Sequence, residues 1–243
     1  MHIIYQGFKM DNQLKNQRFT HYTASMIGGF MGGYAIINFY ELFANAQTAN
    51  MIHLVEKLVG HDYAGLVYIF AALLTYMSGN AFCVLYRKFI GKNLRAVSLI
   101  LDLSAITAVG VITKFTSINF VLLPIVFAMP IQWNAFNDDA GYVSSTIFST
   151  NNLRQATMSL TQYFTDKDKA QLDKTKFFWT TLLCFHIGVA VVCIASVLFG
   201  VHSIWFGYIP VVLTSAAYFR QCELLTKLRT KRHRHKNDTF KSA

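Results

Sequence analysis

Charged side chains are scarce: Asp, Glu, Lys and Arg make up 14% of the 243 residues, against about a quarter in an ordinary soluble domain. That is too little charge for a water-facing surface, which excludes a freely soluble globular domain. Cysteine is sparse as well. Cys83, Cys184, Cys193 and Cys222 form no C-x-x-C pair and lie in or at the ends of apolar stretches, so neither a disulfide framework nor a zinc site follows. The sequence also lacks H-E-x-x-H, G-x-S-x-G, a P-loop and a Gly-rich dinucleotide fingerprint. TDKDKAQLDK (165–174) is without the Gly and terminal Glu of an EF-hand loop and reads as a solvated loop. No enzyme, metal or cofactor is expected.

What fills the chain instead is apolar: 53% hydrophobic residues, 21 of them Phe, and a mean hydropathy of +0.35. A membrane-crossing helix needs about 20 mainly apolar residues. Four stretches meet this directly, 63–86, 94–112, 117–136 and 177–200. Two more, 22–40 and 203–219, are interrupted by Gly, Ser or Thr. The expectation is an all-α polytopic membrane protein with six transmembrane helices. Lys15, Arg18, the first apolar run and Ala44-Asn45-Ala46 imitate a signal peptide, but the run is too long and its paired glycines suit packing, so it reads as a retained first span.

Positive residues mark the cytoplasmic side. Lys9, Lys15 and Arg18 precede span one; Arg87, Lys88, Lys92 and Arg95 join spans two and three; eight Lys or Arg against Glu223 and Asp238 follow from Arg220 onward. Of Lys and Arg, the alternate connections hold only Lys57 and Lys114, and the last of them has only His202. This places both termini in the cytoplasm of a cell membrane: an arm 1–20, a membrane domain 21–220 and a basic tail 221–243. The formal charge of +10 is then a topology signal, with no nucleic acid implied. The alternative for KLRTKRHRHK (227–236) is contact with anionic lipid.

FANAQTANMIHLVEKL (43–58) after span one and STIFSTNNLRQATMSL (145–160) after span four both carry Phe, Thr, Asn and a Leu-containing helical pattern, with Thr48 and Thr150 spaced 102 residues apart. Repeats of three spans, about 21–113 and 117–220, would lie inverted in the membrane, a frequent construction of secondary transporters.

These residues also resemble a family. GGFMGGY (28–34) followed by FANAQTAN (43–50), and AMPIQWNAF (128–136) followed by VSSTIFSTNNL (143–153), are similar to the YoaK-like family of six-span bacterial membrane proteins, whose domain is of unknown function. The resemblance covers about residues 20–220 and implies a bacterial inner-membrane protein. Gln132 and Asn134 match a Gly-x-Gln-Asn-Ala motif of that family. Gly32 stands where the family pattern has Asp, Ala49 where it has Gly, and Thr150-Asn151-Asn152 replaces a Thr-Gly-Thr-like motif, so a role needing that Asp does not carry over. An acidic residue in span three, here Asp102, also fits the family.

Thr and Asn start helices by accepting bonds from free N–H groups of the first turn, so Thr48 and Thr150 are expected to cap short helices 49–58 and 151–164. Free helix N-termini suit an anion, whereas Gln, Asn and Thr suit an uncharged solute equally. The expected solute site is Gln47, Thr48, Asn50, Gln132, Asn134, Thr150, Asn151 and Asn152; the alternative is that these residues only cap and bond helices. Gly28, Gly29, Gly32 and Gly33 allow close helix approach, either inside the chain or in a homodimer. Asp102 lies halfway along its span, where a carboxylate costs about 2.5–3.5 kcal/mol. It is either a proton-coupling group, with His186 as partner, or a hydrogen-bonded packing residue. The two functional expectations are a small-solute transporter or channel, and a non-transporting scaffold or sensor with a basic tail.

Overall fold

The computed structural model describes residues 2–39, 42–91, 93–113, 119–137 and 141–241. Every regular element among them is helical: α1 (His2–Phe39), α2 (Gln47–Val59), α3 (Tyr63–Phe89), α4 (Leu94–Ile112), α5 (Leu123–Phe136), α6 (Thr150–Asp166), α7 (Lys169–Phe199) and α8 (Tyr208–Lys241), with 3₁₀ segments Asn119–Leu122 before α5 and Gly200–Gly207 before α8. Glu41, Lys92, Lys114, Asp138 and Asp139 lie outside the described residues.

Two helices form the interior. Between Thr20 and Ala35 nearly every residue of α1 is buried, and α5 is buried almost all round. A helix apolar on every side belongs inside other protein, which is why α5 shows no polar face. Helix α1 is surrounded by α7 and α8, while α5 is surrounded by α3 and α4; the short helices α2 and α6 pack on α3 and α7. The outer helices turn Val67, Phe70, Met77, Ile100, Leu183, Ile194 and Val197 outward, an apolar exterior suited to lipid.

Among the described residues three helical stretches are long and apolar enough to cross a membrane, Tyr63–Phe89, Leu94–Ile112 and Lys169–Leu224; the last runs through α7, its 3₁₀ turn and α8. Phe120–Phe136 is apolar but shorter. These helices mark a membrane protein. Stretch 22–40 does not stand out by hydropathy, because its small and polar residues face neighbouring helices and not the exterior.

Between hydrocarbon-clad helices there is little hydrophobic driving force, so close packing takes over. A Cβ on Gly29 would overlap the Phe185 carbonyl oxygen, and one on Gly188 would overlap that of Met26, so the backbones of α1 and α7 cross in contact. The region 165–174 is not a loop. Helix α6 runs to Asp166, Lys167 turns the chain in the left-handed conformation (φ 56°), and Asp168 accepts a hydrogen bond from Ala170 N to open α7. An Asp at that position is itself a helix-start signal.

Candidate functional site

The segments preceding α2 and α6 are built alike. Asn50 Oδ1 accepts from Phe43 N (3.0 Å) while Nδ2 donates to Phe43 O (2.8 Å). Asn152 Oδ1 accepts from Ser145 N (3.4 Å) while Nδ2 donates to Ser145 O (2.6 Å). Each asparagine thus brackets both backbone groups of the residue seven positions before it. Phe43 and Ser145 are related by the same 102-residue shift as Asn50 and Asn152.

The two segments meet against α1. Gly28 seats the second one, since a Cβ there would overlap the Thr146 carbonyl oxygen, and Gly32 seats the first by leaving room for the Asn45 amide. Asn45 Nδ2 donates to Gly28 O (2.8 Å) and to Ile147 O (3.0 Å), and Ile147 is 102 residues from Asn45. All four motif glycines are buried and face the chain's own elements, Gly29 and Gly33 those of α7. They act in internal packing.

A cavity of about 320 Å³ lies at this junction. Its lining comes from Phe43–Ala46, from Ile147–Thr150, from Gly32, Gly33, Ile36 and Ile37 of α1, and from Phe185, Val189 and Cys193 of α7. Among the described residues the walls are mainly apolar and carry no charged side chain. Helices α2 and α6 both start at its edge, and neither has a side-chain cap: Ala46 and Ser149 occupy the cap positions, with Gln47 and Thr150 already helical. This corrects the expected Thr48 and Thr150 caps. The physical reason is the asparagine bracket, which draws the preceding chain across the helix start and leaves each threonine past the cap position. Thr48 and Thr150 are exposed, and only Thr150 reaches the cavity rim.

Two polar atoms at the cavity lack partners among the described residues. Asn45 Oδ1, in a residue only 7% exposed, and Ser149 Oγ are both buried. Because Nδ2 of Asn45 is held by two carbonyls, the amide cannot turn over, and its oxygen stays buried without a partner among the described residues. A helix N-terminus attracts an anion by about 0.3–1 kcal/mol. Desolvating an unpaired charge costs several kcal/mol, so with no cation in the lining among the described residues the anion preference loses.

The remaining expected site residues lie elsewhere. Gln47 Oε1 accepts from Asn50 Nδ2 (2.9 Å), and Asn151 is exposed. Gln132 is buried between α5 and α1, donating to Ala24 O (2.6 Å); Asn134 bonds Asn80 Oδ1 (3.1 Å) and Pro130 O (2.8 Å). Asn50 and Asn152 have their polar atoms taken by their own chain, so neither is free to hold a solute. Asp102 is fully buried, and neither carboxylate oxygen nor Ser98 Oγ, one turn away, has a hydrogen-bond partner among the described residues. Whereas Asp102 lies on α4, His186 lies on α7. Its Nδ1 lies 2.8 Å from Leu182 O in its own helix, and α7 packs on α1 and α6, whereas α4 packs on α5 and α8.

A polar cluster missed by the sequence reading ties the other end of α1. His21, fully buried just before stretch 22–40, has Nδ1 2.9 Å from Phe136 O and Nε2 3.1 Å from Ser144 Oγ. Ser144 Oγ is also 3.0 Å from Asn152 Oδ1, so one hydroxyl proton has two acceptors in reach. Burial lowers the His21 pKa to about 4. Nearby, Arg18 pairs with Asp173 through both guanidinium nitrogens (2.8 and 2.5 Å), Tyr142 OH donates to the same carboxylate (3.0 Å), and the guanidinium lies over the Tyr142 and Phe177 rings. The Arg18 bond holds the Asp173 carboxyl below its ordinary value. A lone His or Asn at the edge of an apolar run was the available signal for His21 and for Asn45.

No curated protein and no solved structure matches the chain. The sequence signature of one family does, over residues 21–217, which takes in both bracketed segments, the part of α1 that holds Gly28, Gly29, Gly32 and Gly33, and Asp102. The chain therefore belongs to the YoaK-like family, described as a protein of unknown function, DUF1275.

Proposed function

We propose that the chain is a six-span membrane protein of two inverted three-helix repeats, with both termini cytoplasmic, and that it is a small-solute secondary transporter or channel whose site is the cavity between the two bracketed segments. The observation that carries this reading is the Asn45 to Ile147 hydrogen bond, which joins positions 102 residues apart across the cavity wall. The exchanged packing supports it too: α7 and α8 surround α1, and α3 and α4 surround α5. A repeat with three spans must be inverted relative to its partner, and solute sites of such transporters lie where the repeats meet. Asp102, buried without a partner, is the proposed proton-coupling group.

The second reading, a scaffold or sensor with a basic tail that contacts anionic lipid, draws on the closed hydrogen bonding of Asn50 and Asn152, which only hold the chain to itself. Purified protein in liposomes separates the two. Under the transporter reading the vesicles admit small uncharged solutes faster than empty ones, and Ile36→Trp, which fills the cavity from its partly exposed rim, removes the difference while the melting temperature is kept. Equal uptake with and without protein, or undiminished uptake by the filled variant, refutes it.

A further inference from the structure

We infer that the outward face of α6 lines a water-filled vestibule inside the membrane, leading from the Arg18 end of α1 to the cavity, whereas the outward face of α2 is covered by hydrocarbon. That the vestibule serves a solute rests on the reading of this cavity as the solute site; the vestibule itself rests on depth and on side-chain chemistry. Both bracketed segments reach Gly28, through Asn45 and Thr146, and Gly28 to Gly33 stand near the middle of the apolar stretch 22–40. Thr150, the first residue of α6, is exposed at the cavity rim with Gly32 and Gly33 in the same lining. Further along α6, Ser159 Oγ lies 2.9 Å from Thr175 Oγ1, close in sequence to the Asp173 that holds Arg18. From Thr150 to Ser159 the helix rises about 14 Å, half of a hydrocarbon core of about 30 Å, so this part of α6 fills the distance from mid-depth to the Arg18 end. Helix α2 starts from the same depth and leads to Tyr63, where the full span α3 begins, so it occupies the other half.

The two outward faces differ in chemistry. On α2 the face is Met51, Ile52, Val55, Leu58 and Val59, all exposed, while Glu56 is bonded to His53 and Lys57 to Asp62. On α6 Asn151, Arg154, Thr161, Gln162 and Thr165 recur along one exposed stripe at helical spacing, with Met158 among them and Leu153 and Phe164 to its side. An apolar face is kept by hydrocarbon. A guanidinium with a row of amides and hydroxyls at membrane depth belongs beside water.

Methionines already in the chain supply one readout. Met51 of α2, Met158 of α6 and Met77 on the outward side of α3 are similarly exposed in the protein, at 51%, 46% and 63%. The full chain in nanodiscs of phosphatidylcholine and phosphatidylglycerol is treated with hydrogen peroxide, and sulfoxide formation is followed by peptide mass spectrometry. Met158 should be oxidised at least fivefold faster than Met51 or Met77. Met51 oxidised as fast as Met158 overturns the inference, since α2 then lies in water too, and so does a Met158 as slow as Met77. A second measurement fixes the depth. Asn151 and Leu183 are both exposed and stand at nearly the same level, because Asn151 follows Thr150 at the cavity rim and Leu183 is two residues before the Phe185 that meets Gly29. A charged methanethiosulfonate, read on the peptide that carries the substitution, should modify Asn151→Cys at least tenfold faster than Leu183→Cys, each with an unchanged melting temperature. Equal rates overturn the inference, because the start of α6 then lies outside the bilayer or under lipid. The expected oxidation and labelling without uptake into liposomes keep the vestibule and refute transport; uptake with Met158 and Asn151→Cys unreactive does the reverse.

Discussion

Replacing Asn152 by Ala should be among the most damaging single changes outside the apolar core. The side chain satisfies Ser145 N, Ser145 O and Phe148 O and receives the Ser144 hydroxyl, and the residue is only 1% exposed. Alanine leaves the two backbone groups of Ser145 without partners where water does not reach. Each orphaned buried group costs about 1–3 kcal/mol. Hydrogen bonds between membrane helices average only about 0.6 kcal/mol, because the unfolded chain in the membrane finds other partners. Here the freed groups sit in an irregular segment with no such alternative, so the larger scale applies. Allowing for partial relaxation, the loss should be about 2–4 kcal/mol. For a chain of this size that corresponds to a melting temperature lower by about 5–15 °C, read by intrinsic fluorescence of the detergent-solubilised protein. Asn151→Ala, one residue away and exposed, is the control and should stay within about 2 °C. Equal melting of the two variants would refute the bracket as the element holding the segment.

The remaining predictions concern other parts of the fold. His21 has a folded pKa near 4 against about 6.5 for a free imidazole, so its neutral form is the native one; its contribution, about 3 kcal/mol, is complete above pH 6.5 and lost as the pH falls toward 4. Asp173, held low by Arg18, adds less than about 1 kcal/mol because its side chain is nearly half exposed, and loses this below about pH 4. Melting curves between pH 7 and 4 should therefore fall mainly from 6.5 downward, and His21→Gln should flatten that slope; parallel slopes count against the assignment. Gly29→Ala should cost about 1–3 kcal/mol or more, since the obstacle is the α7 backbone at Phe185; Gly60→Ala, whose nearest contact would be Glu56 O at 3.2 Å, should change stability by less than about 0.5 kcal/mol, and comparable losses would show that the crossing is not tight.

Helix positions were readable because apolar runs and the Leu-containing patterns after 48 and 150 have a physical cause that acts locally. Expected helices 49–58 and 151–164 stand as Gln47–Val59 and Thr150–Asp166. The caps were not readable in the same way. Threonine is a good cap in isolation, but Asn50 and Asn152 form brackets to residues seven positions back, and this decides where the chain bends. The role of Asn45 depends on meeting Ile147, a contact that no window of sequence contains. Asp102 and His186 both looked notable as polar residues in apolar helices; only the packing of α4 away from α7 separates them. The loop expected at 165–174 failed because its charges were weighed as a composition, while Asp168 acts as a single residue at the first turn of α7.

Applying the 102-residue shift to the cavity wall gives an unequal pair. Gly32, Gly33 and Val189 correspond to Asn134, Ala135 and Arg87, and there Arg87 donates to Asn134 O while Arg95 donates to Ala135 O. One side of the proposed two-fold axis keeps glycine and valine around empty space; the other has guanidinium groups tied to the C-terminal carbonyls of α5. Under the proposed inverted-repeat reading, copies that diverge in this way would have lost front-to-back equivalence, and a solute would not need to enter and leave by similar doors. On that reading the asymmetry would lie in two arginines and two glycines.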